Sequence, residues 1–188
     1  MRYQPSPSDI LEFMRTLRSV RRFAPTPIPD EVVASILDVG RWSGSAKNTQ
    51  PWEVLVVADQ EMLVELSTLG MFAGHAAKAA LAIVLVMGPT ASAIDTGRLA
   101  ERLQLAGWAH GVGSVIGSIF PKENLERAKT LLNIPADRSV PMFLSFGYPA
   151  DENATRLSST PNMVSVVPIG RKPMGEFAYF GKFGANQE

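Results

Sequence analysis

The residues of this chain that are best suited to chemistry form a short basic run near the amino terminus, RSVRRF at positions 18–23. A guanidinium group binds phosphate through paired hydrogen bonds, and a serine hydroxyl can add another. The same run can also be interpreted as the solvated basic end of a helix, where the helix dipole favours positive charge. From these residues alone both interpretations stay open, and the basic helix end is the simpler one.

A second candidate is the polar loop SGSAKNTQPW at positions 43–52. It brings two amides, three hydroxyls and Lys47 together just before an apolar run. Because an amide both donates and accepts hydrogen bonds, Asn48 and Gln50 suit a heterocycle with a mixed edge, such as the pyrimidine ring of a flavin. An ordinary polar connection remains the alternative, although Lys47 is the single charged residue of the loop.

Two further segments are less specific. The glycine-rich run at 107–117 contains G-x-G-x-x-x-G, which is one residue longer than the dinucleotide-binding fingerprint. It also follows a predicted helix and precedes a predicted strand, the reverse of the order that such a site needs. The run therefore predicts a tight helix-to-strand turn. Arg171 and Lys172 form a basic pair that by itself indicates only a charged surface.

Composition excludes several classes of function. The chain has no cysteine, so disulfides, thiolate metal ligands and thiol nucleophiles are ruled out. His75 and His110 lack ligand-like neighbours, and we interpret both as core or helix-surface residues; no metal site is expected. Eighteen basic residues balance eighteen acidic ones, which gives no reason to expect nucleic acid as a partner. No segment resembles a signal peptide or a membrane span, so a cytoplasmic protein is expected.

The elements that must position these residues alternate between helices and apolar strands. Strands are predicted at residues 52–58, 81–87, 114–119 and 140–146, the first of them buried on both faces. Helices are predicted after a cap at Ser8, after the prolines at 25, 27 and 29, after a cap at Asp59, over residues 93–110, and from Pro121 to about 132. In the first helix Ile10, Leu11, Met14 and Leu17 share one face. We expect a single domain over residues 1–188, with a sheet between helices.

Taken in order, these segments resemble the nitroreductase family of FMN-dependent enzymes. The resemblance rests on RSVRRF (18–23), PIP (27–29), SAKNTQPW (45–52), the run DTGRLAERLQLAGWAHGVGSVIG (95–117) and GRKP (170–173). It covers nearly the whole chain from Asp9 to Pro173. The first and third motifs are the specific ones, whereas the glycine-rich and carboxyl-terminal pieces are weak by themselves.

The resemblance implies a set of cofactor-binding residues: Arg18, Ser19, Arg21, Ser45, Asn48, Gln50, Ser114, Gly117 and Arg171. Of these, Arg18, Ser19 and Arg21 match positions that bind the FMN phosphate and ribityl chain or reach the flavin edge. Asn48 is expected at the isoalloxazine ring, and Arg171 matches a late phosphate-binding arginine. Arg22 falls outside the pattern. Gly44 stands where members commonly have proline, which is expected to loosen the loop without removing a contacting side chain.

The implied fold is α+β, with a central, mainly antiparallel sheet flanked by helices. The implied function is transfer of hydride from NADH or NADPH to FMN, and of electrons from FMN to a nitroaromatic, a quinone or a similar acceptor. Arg18, Arg21 and Lys47 are candidates for a positive charge near the flavin N1–O2 edge. A homodimer with FMN at its interface is implied; the tail (about 174–188) is expected to pack on the partner.

Two alternatives to a general reductase stay open at this point. The first is a specialised flavin enzyme, such as a dehalogenase, although the 188-residue chain leaves little room for the additional lid or domain of such branches. The second is a non-catalytic sensor that binds a flavin or a nucleotide. Turnover of NAD(P)H with a nitroaromatic or quinone acceptor separates a reductase from a sensor.

Overall fold

The computed structural model describes residues 5–155 and 170–184, which belong to two separate compact units. The larger unit contains five helices: α1 (Pro7–Thr16), α2 (Asp30–Arg41), α3 (Gln60–Ser67), α4 (Ala93–Ala109) and α5 (Lys122–Leu131). It also contains four strands: β1 (Trp52–Val57), β2 (Leu81–Met87), β3 (Gly113–Ser118) and β4 (Met142–Gly147). Short 3-10 turns lie at Ala46–Asn48 and Gly74–Lys78. Among its described residues, 170–184, the smaller unit has one short helix, α6 (Met174–Phe177).

The four strands form one sheet in the order β1-β2-β4-β3, and every neighbouring pair is antiparallel. This arrangement confirms the α+β class and the antiparallel sheet expected from the sequence. It corrects one detail, since β1 was expected to be buried on both faces. β1 is an edge strand, and Val57 is its one fully buried residue. A short apolar run does not by itself distinguish an edge strand from a central one.

Helices cover both faces of the sheet. On one face Ile83 and Leu85 of β2 pack with Ile36 of α2 and with Leu99 and Leu103 of α4. On the other face, residues of α3 and α5 pack with Val84 of β2 and Phe143 of β4. All seven residues of β2 are buried, because neighbouring strands flank it and both faces are covered. The core therefore consists of two apolar layers separated by the sheet.

Helix α1 differs from its prediction in two respects, its capping residue and the burial of its apolar face. Its cap is Ser6 rather than Ser8: the Ser6 hydroxyl accepts a hydrogen bond from the backbone N–H of Asp9, and Pro7 occupies the first turn. Leu17 lies just outside the helix, and none of the helix residues is buried, so Ile10 stays 45% exposed. Periodicity defines an apolar face of a helix, but it does not show what covers that face.

Most other boundaries follow the sequence closely. Asp59 caps α3, because its carboxylate accepts a hydrogen bond from the backbone N–H of Met62 at 2.9 Å. The glycine-rich run makes the expected turn between α4 and β3, with Gly111 at a φ of +71°. In the described part of the chain, no helix is both long and apolar enough to cross a membrane.

Candidate functional site

The arginine-rich segment lies along the free edge of β3. Ser19 forms a parallel bridge with Ser114, and the backbone N–H of Val20 donates to the Ser114 carbonyl at 2.9 Å. The Val20 side chain is fully buried, and a Cβ added at Gly113 would lie 2.4 Å from it. Glycine at position 113 therefore lets the segment approach the strand, and the structure brings Ser19 and Ser114 together as a pair.

The three arginines of this segment have different surroundings. Arg18 donates to the carbonyl oxygens of Arg15 and Leu17, at 2.6 and 2.7 Å, and so caps the end of α1. Arg22 forms an ion pair of 2.9 Å with Asp151. Arg21 is exposed, and within residues 5–155 and 170–184 its side chain makes no hydrogen bond or ion pair. Arg21 is therefore the arginine of this segment that is most available to a ligand.

His75 lies close enough to Arg21 to be affected by its charge, and it was not among the residues assigned to a site from sequence. Its Nδ1 is 2.9 Å from the Ser145 hydroxyl, which is fully buried on β4. Burial, and then the charge of Arg21, lower the pKa of His75 to about 4, although the backbone of Ile116 acts in the opposite direction. The ring is therefore neutral at pH 7. No sequence signal marks it, because its neighbours come from two distant segments.

The polar loop at 43–52 is held in an unusual backbone conformation. Lys47, Asn48 and Gln50 have φ values of 53°, 56° and 45°, in the left-handed region that non-glycine residues rarely adopt. The Ser45 hydroxyl closes the loop by accepting a hydrogen bond from the backbone N–H of Gln50 at 2.9 Å. Such strain costs about 1–3 kcal/mol per residue and is concentrated at functional sites. The conformation holds the exposed Asn48 side chain on a defined backbone.

Two of the sequence-predicted residues already have a packing role. Ser114 is 1% exposed, and its hydroxyl accepts a hydrogen bond from the Gln104 amide at 3.2 Å. A Cβ added at Gly117 would lie 2.3 Å from the Phe143 ring. These contacts account for both residue types without a ligand. A cofactor role for Ser114 and Gly117 remains a prediction.

Arg171 belongs to the smaller unit. Its guanidinium donates to the carbonyl oxygen of the neighbouring Gly170 at 2.9 Å. Within the same unit the rings of Tyr179 and Phe183 pack with centroids 4.8 Å apart. The phosphate-binding role of Arg171 and the packing of the tail on a partner stay predictions.

The polar loop and the arginine segment lie at diagonally opposite corners of the sheet. β1 begins beside Met87 of β2, whereas Ser114 of β3 is level with Leu81, at the other end of β2. Six residues of strand separate these levels by about 20 Å, and four strand spacings separate Trp52 from Ser19 by about 19 Å. The two motifs are therefore anchored roughly 28 Å apart in one chain.

Each motif has a buried polar atom beside it that lacks a partner. Within the described part of the chain, the Ser43 hydroxyl and Nε2 of His75 are the buried side-chain atoms without a hydrogen bond. A buried polar group left unpaired costs about 1–3 kcal/mol, so such groups normally have partners. A bound polar ligand would supply them. The described residues contain no group of three or more histidine or acidic side chains placed to hold a metal ion.

Comparison with known proteins identifies one family. A model described as the nitroreductase family matches residues 14–86 and 68–148. A putative NADH dehydrogenase/NAD(P)H nitroreductase of Archaeoglobus fulgidus is 34% identical over 77% of this chain and 87% of that protein. A protein of the same description from Methanothermobacter thermautotrophicus is 28% identical over 80% of this chain and 83% of its own length.

Solved structures agree in fold. An FMN-dependent nitroreductase of Clostridium difficile superposes with a TM-score of 0.71 at 23% identity, over 86% of this chain and 99% of that chain. The NADPH:FMN oxidoreductase of Vibrio harveyi, solved with NAD+, gives a TM-score of 0.67 at 24% identity, over 87% and 78% of the two chains. Both similarities concern the arrangement of helices and strands.

Proposed function

This chain belongs to the nitroreductase family, as an NAD(P)H-dependent flavin oxidoreductase, and we propose that it uses FMN to pass electrons from NADH or NADPH to a small organic acceptor. The acceptor is a nitroaromatic, a quinone or a compound of similar electrophilic character. When bound, FMN supplies the redox chemistry, taking a hydride at N5 and releasing electrons to the acceptor. The protein supplies binding, orientation and charge.

The observation that carries the proposal is the pairing of each motif with an unsatisfied polar atom. The arginine segment offers Arg21, which has no partner among the described residues and whose charge acts on His75, a residue with an unpaired Nε2. The loop offers Asn48 on a strained backbone, next to the bare hydroxyl of Ser43. Cations, amides and single polar atoms of this kind fit a cofactor that has a phosphate, a hydroxylated chain and a heterocycle.

Geometry also supports a homodimer. The two motifs are anchored roughly 28 Å apart in one chain, which is further than a single FMN molecule reaches. If a second copy places its loop against the arginine segment of the first, both motifs contact the same FMN. A symmetric dimer of this kind contains two equivalent FMN sites, because each contact between the subunits occurs twice in the interface. Much of the apolar face of α1 is exposed in the single chain, which a partner would cover.

In the proposed site the side chains have separate tasks. Arg21 carries the charge that binds phosphate or lies at the flavin edge, where it stabilises the negative charge of the reduced ring. His75 stays neutral beside it and adds no second positive charge at pH 7. Asn48 and Gln50 donate and accept hydrogen bonds at the ring edge. Arg18 and Lys47 remain further candidates for a positive charge near the flavin.

The first test is the cofactor itself. We expect the purified protein to be yellow, to be stabilised against heat by FMN, and to oxidise NAD(P)H in the presence of a quinone or nitroaromatic acceptor. Protein that is colourless and that FMN does not stabilise would overturn the proposal. Protein that holds reducible FMN but does not turn over would instead favour a flavin-binding sensor.

A matched pair of arginine variants tests the arginine segment. We expect Arg21→Ala to weaken FMN binding by about tenfold or more, because a hydrogen bond to a charged group contributes about 1.5–3 kcal/mol. Arg22→Ala removes an equal charge one residue away, but Arg22 is paired with Asp151. FMN affinity should therefore be nearly unchanged in Arg22→Ala. Equal losses in the two variants would show that only the general positive charge of the segment matters.

Co-expression tests the shared site. Arg21→Ala and Asn48→Ala each damage both sites of a homodimer. A mixed dimer of the two variants has one site with both substitutions and one site with neither. Co-expressed, differently tagged subunits should therefore regain about one tight FMN per mixed dimer. If both motifs serve the same site within one chain, the mixed dimer regains none.

A further inference from the structure

Arg98 of α4 reaches across to the polar loop and fills the space above Gly44. A Cβ added at Gly44 would lie 2.5 Å from Nη2 of Arg98 and 3.1 Å from its Cζ. Real Cβ atoms do not approach other atoms so closely, so the guanidinium occupies this place because residue 44 has no side chain. The contact joins a cation to the loop that carries Ser45, Asn48 and Gln50.

Arg98 is exposed and takes part in none of the ion pairs formed by residues 5–155 and 170–184. The nearest acidic residues along the helix are Asp95 and Glu101, each three positions away. The Asp95 carboxylate accepts hydrogen bonds from the backbone N–H and hydroxyl of Ser92, at 2.9 and 2.7 Å. These hydrogen bonds, and to a smaller degree the charge of Arg98, lower the pKa of Asp95. Asp95 is thus occupied by the cap of α4.

An independent feature lies next to the same contact. Ser43, the residue before Gly44, is 4% exposed, and its hydroxyl has no hydrogen-bond partner within the described ranges. An unpaired guanidinium and an unpaired buried hydroxyl therefore flank one loop residue. A guanidinium presents a planar set of donors that matches the oxygen atoms of a phosphate, and a hydroxyl adds one more donor.

We propose that Arg98 is a phosphate-binding residue of the FMN site, admitted to the loop by Gly44. The inference rests on the proposed function, because it presumes that the loop contacts FMN. The phosphate is the suitable partner, since it is the permanently charged group of oxidised FMN, whereas the oxidised ring is neutral. A guanidinium gains most from a charged acceptor. Arg98 thereby adds a binding residue on α4 to those of the loop.

The test compares FMN with riboflavin, which has the same ring and ribityl chain but no phosphate. We expect Arg98→Gln to weaken FMN binding by about tenfold or more and to leave riboflavin binding unchanged. Arg102→Gln, at an exposed arginine one turn further along α4, removes the same charge and should leave both affinities unchanged. Affinities come from quenching of flavin fluorescence in the full-length protein.

Gly44→Ala provides a second, structure-specific variant. The new methyl group displaces the flexible end of Arg98, so it should lower FMN affinity while thermal stability stays near that of the wild type. Gly44→Ala and Arg98→Gln remove the same contact with the phosphate. The double variant should therefore lose no more FMN affinity than Arg98→Gln alone.

The inference is overturned if Arg98→Gln binds FMN as the wild type does, or if it loses FMN and riboflavin equally. It is also overturned if the effects of Gly44→Ala and Arg98→Gln simply add. Failure of the wild-type protein to bind FMN at all would instead overturn the proposed function, and it is measured first.

Discussion

Replacing Gly117 by alanine distinguishes a role in core packing from a role in binding the cofactor. On β3 a Cβ at this position would lie 2.3 Å from Cζ of Phe143, and the next ring atoms are 2.6 and 2.8 Å away. Ordinary carbon–carbon contacts are about 3.5–4.0 Å, so the ring must retreat by more than about 1 Å in Gly117→Ala. Phe143 is fully buried between the sheet and its helices, and it has little room to move.

The cost of this substitution follows from the overlap. Overpacking a well-packed core typically costs about 1–3 kcal/mol, and a rigid aromatic ring places Gly117→Ala near about 3 kcal/mol. For a chain of this size, 1 kcal/mol shifts the midpoint of thermal unfolding by about 2–4 °C, so we expect a decrease of about 6–12 °C. Circular dichroism of the FMN-free protein measures it directly.

A matched alanine variant controls for the loss of a glycine. Gly97 lies inside α4, and an added Cβ there meets no atom within 4 Å. Gly97→Ala should therefore stabilise the protein by about 0.5–1 kcal/mol, because alanine favours the helix. Combining Gly117→Ala with Phe143→Leu should cost less than the sum of the two single changes, since the smaller side chain makes room.

A Gly117→Ala protein that melts within about 1 °C of the wild type, well below the expected shift, would contradict the packing role of Gly117. Equal destabilisation by Gly97→Ala would contradict it as well. A Gly117→Ala protein of normal stability that has lost FMN would show that the glycine serves the cofactor rather than the core.

Two further predictions concern charge and capping. His75 has a pKa of about 4 in the folded protein against 6.5 for an ordinary histidine, so between these values the unfolded chain binds more protons. The free energy of unfolding should fall as pH drops from 6.5 to 4, and this slope should flatten in His75→Gln, as measured by urea unfolding; a His75 NMR signal that titrates near 6.5 would contradict this. Ser92→Ala removes the capping box of α4 and should cost about 1 kcal/mol. Ser92→Thr should retain most of the stability in the same urea assay, and equal unfolding midpoints for all three proteins would refute the capping argument.

Much of the local structure could be predicted because its causes are local. The apolar run at 81–87 is bounded by Gly88-Pro89, and β2 has the predicted limits. Asp59 caps α3 through its own side chain, and Gly111 makes the turn after α4. The family, the α+β class and the antiparallel sheet also followed from motifs and their order, and the comparisons and the fold confirm them.

Other features depend on residues far apart in the chain, and no local pattern contains them. Three arginines within five residues look equivalent in the sequence, yet Arg22 pairs with Asp151 and Arg18 caps α1. Gly44 was expected only to loosen its loop, but the space that it leaves is filled by Arg98. His75 gained its place beside Arg21 and Ser145 only through folding.

The sequence by itself determined which motifs this protein carries, where most of its helices and strands begin, and the chemistry that its side chains favour. These properties follow from residue type and spacing along the backbone. Tertiary structure alone decided the strand order, which makes β1 an edge and places the polar loop and the arginine segment at opposite corners of the sheet. The physical reason is that strand pairing and burial depend on contacts between residues far apart in the chain. These contacts form together, when the whole core forms.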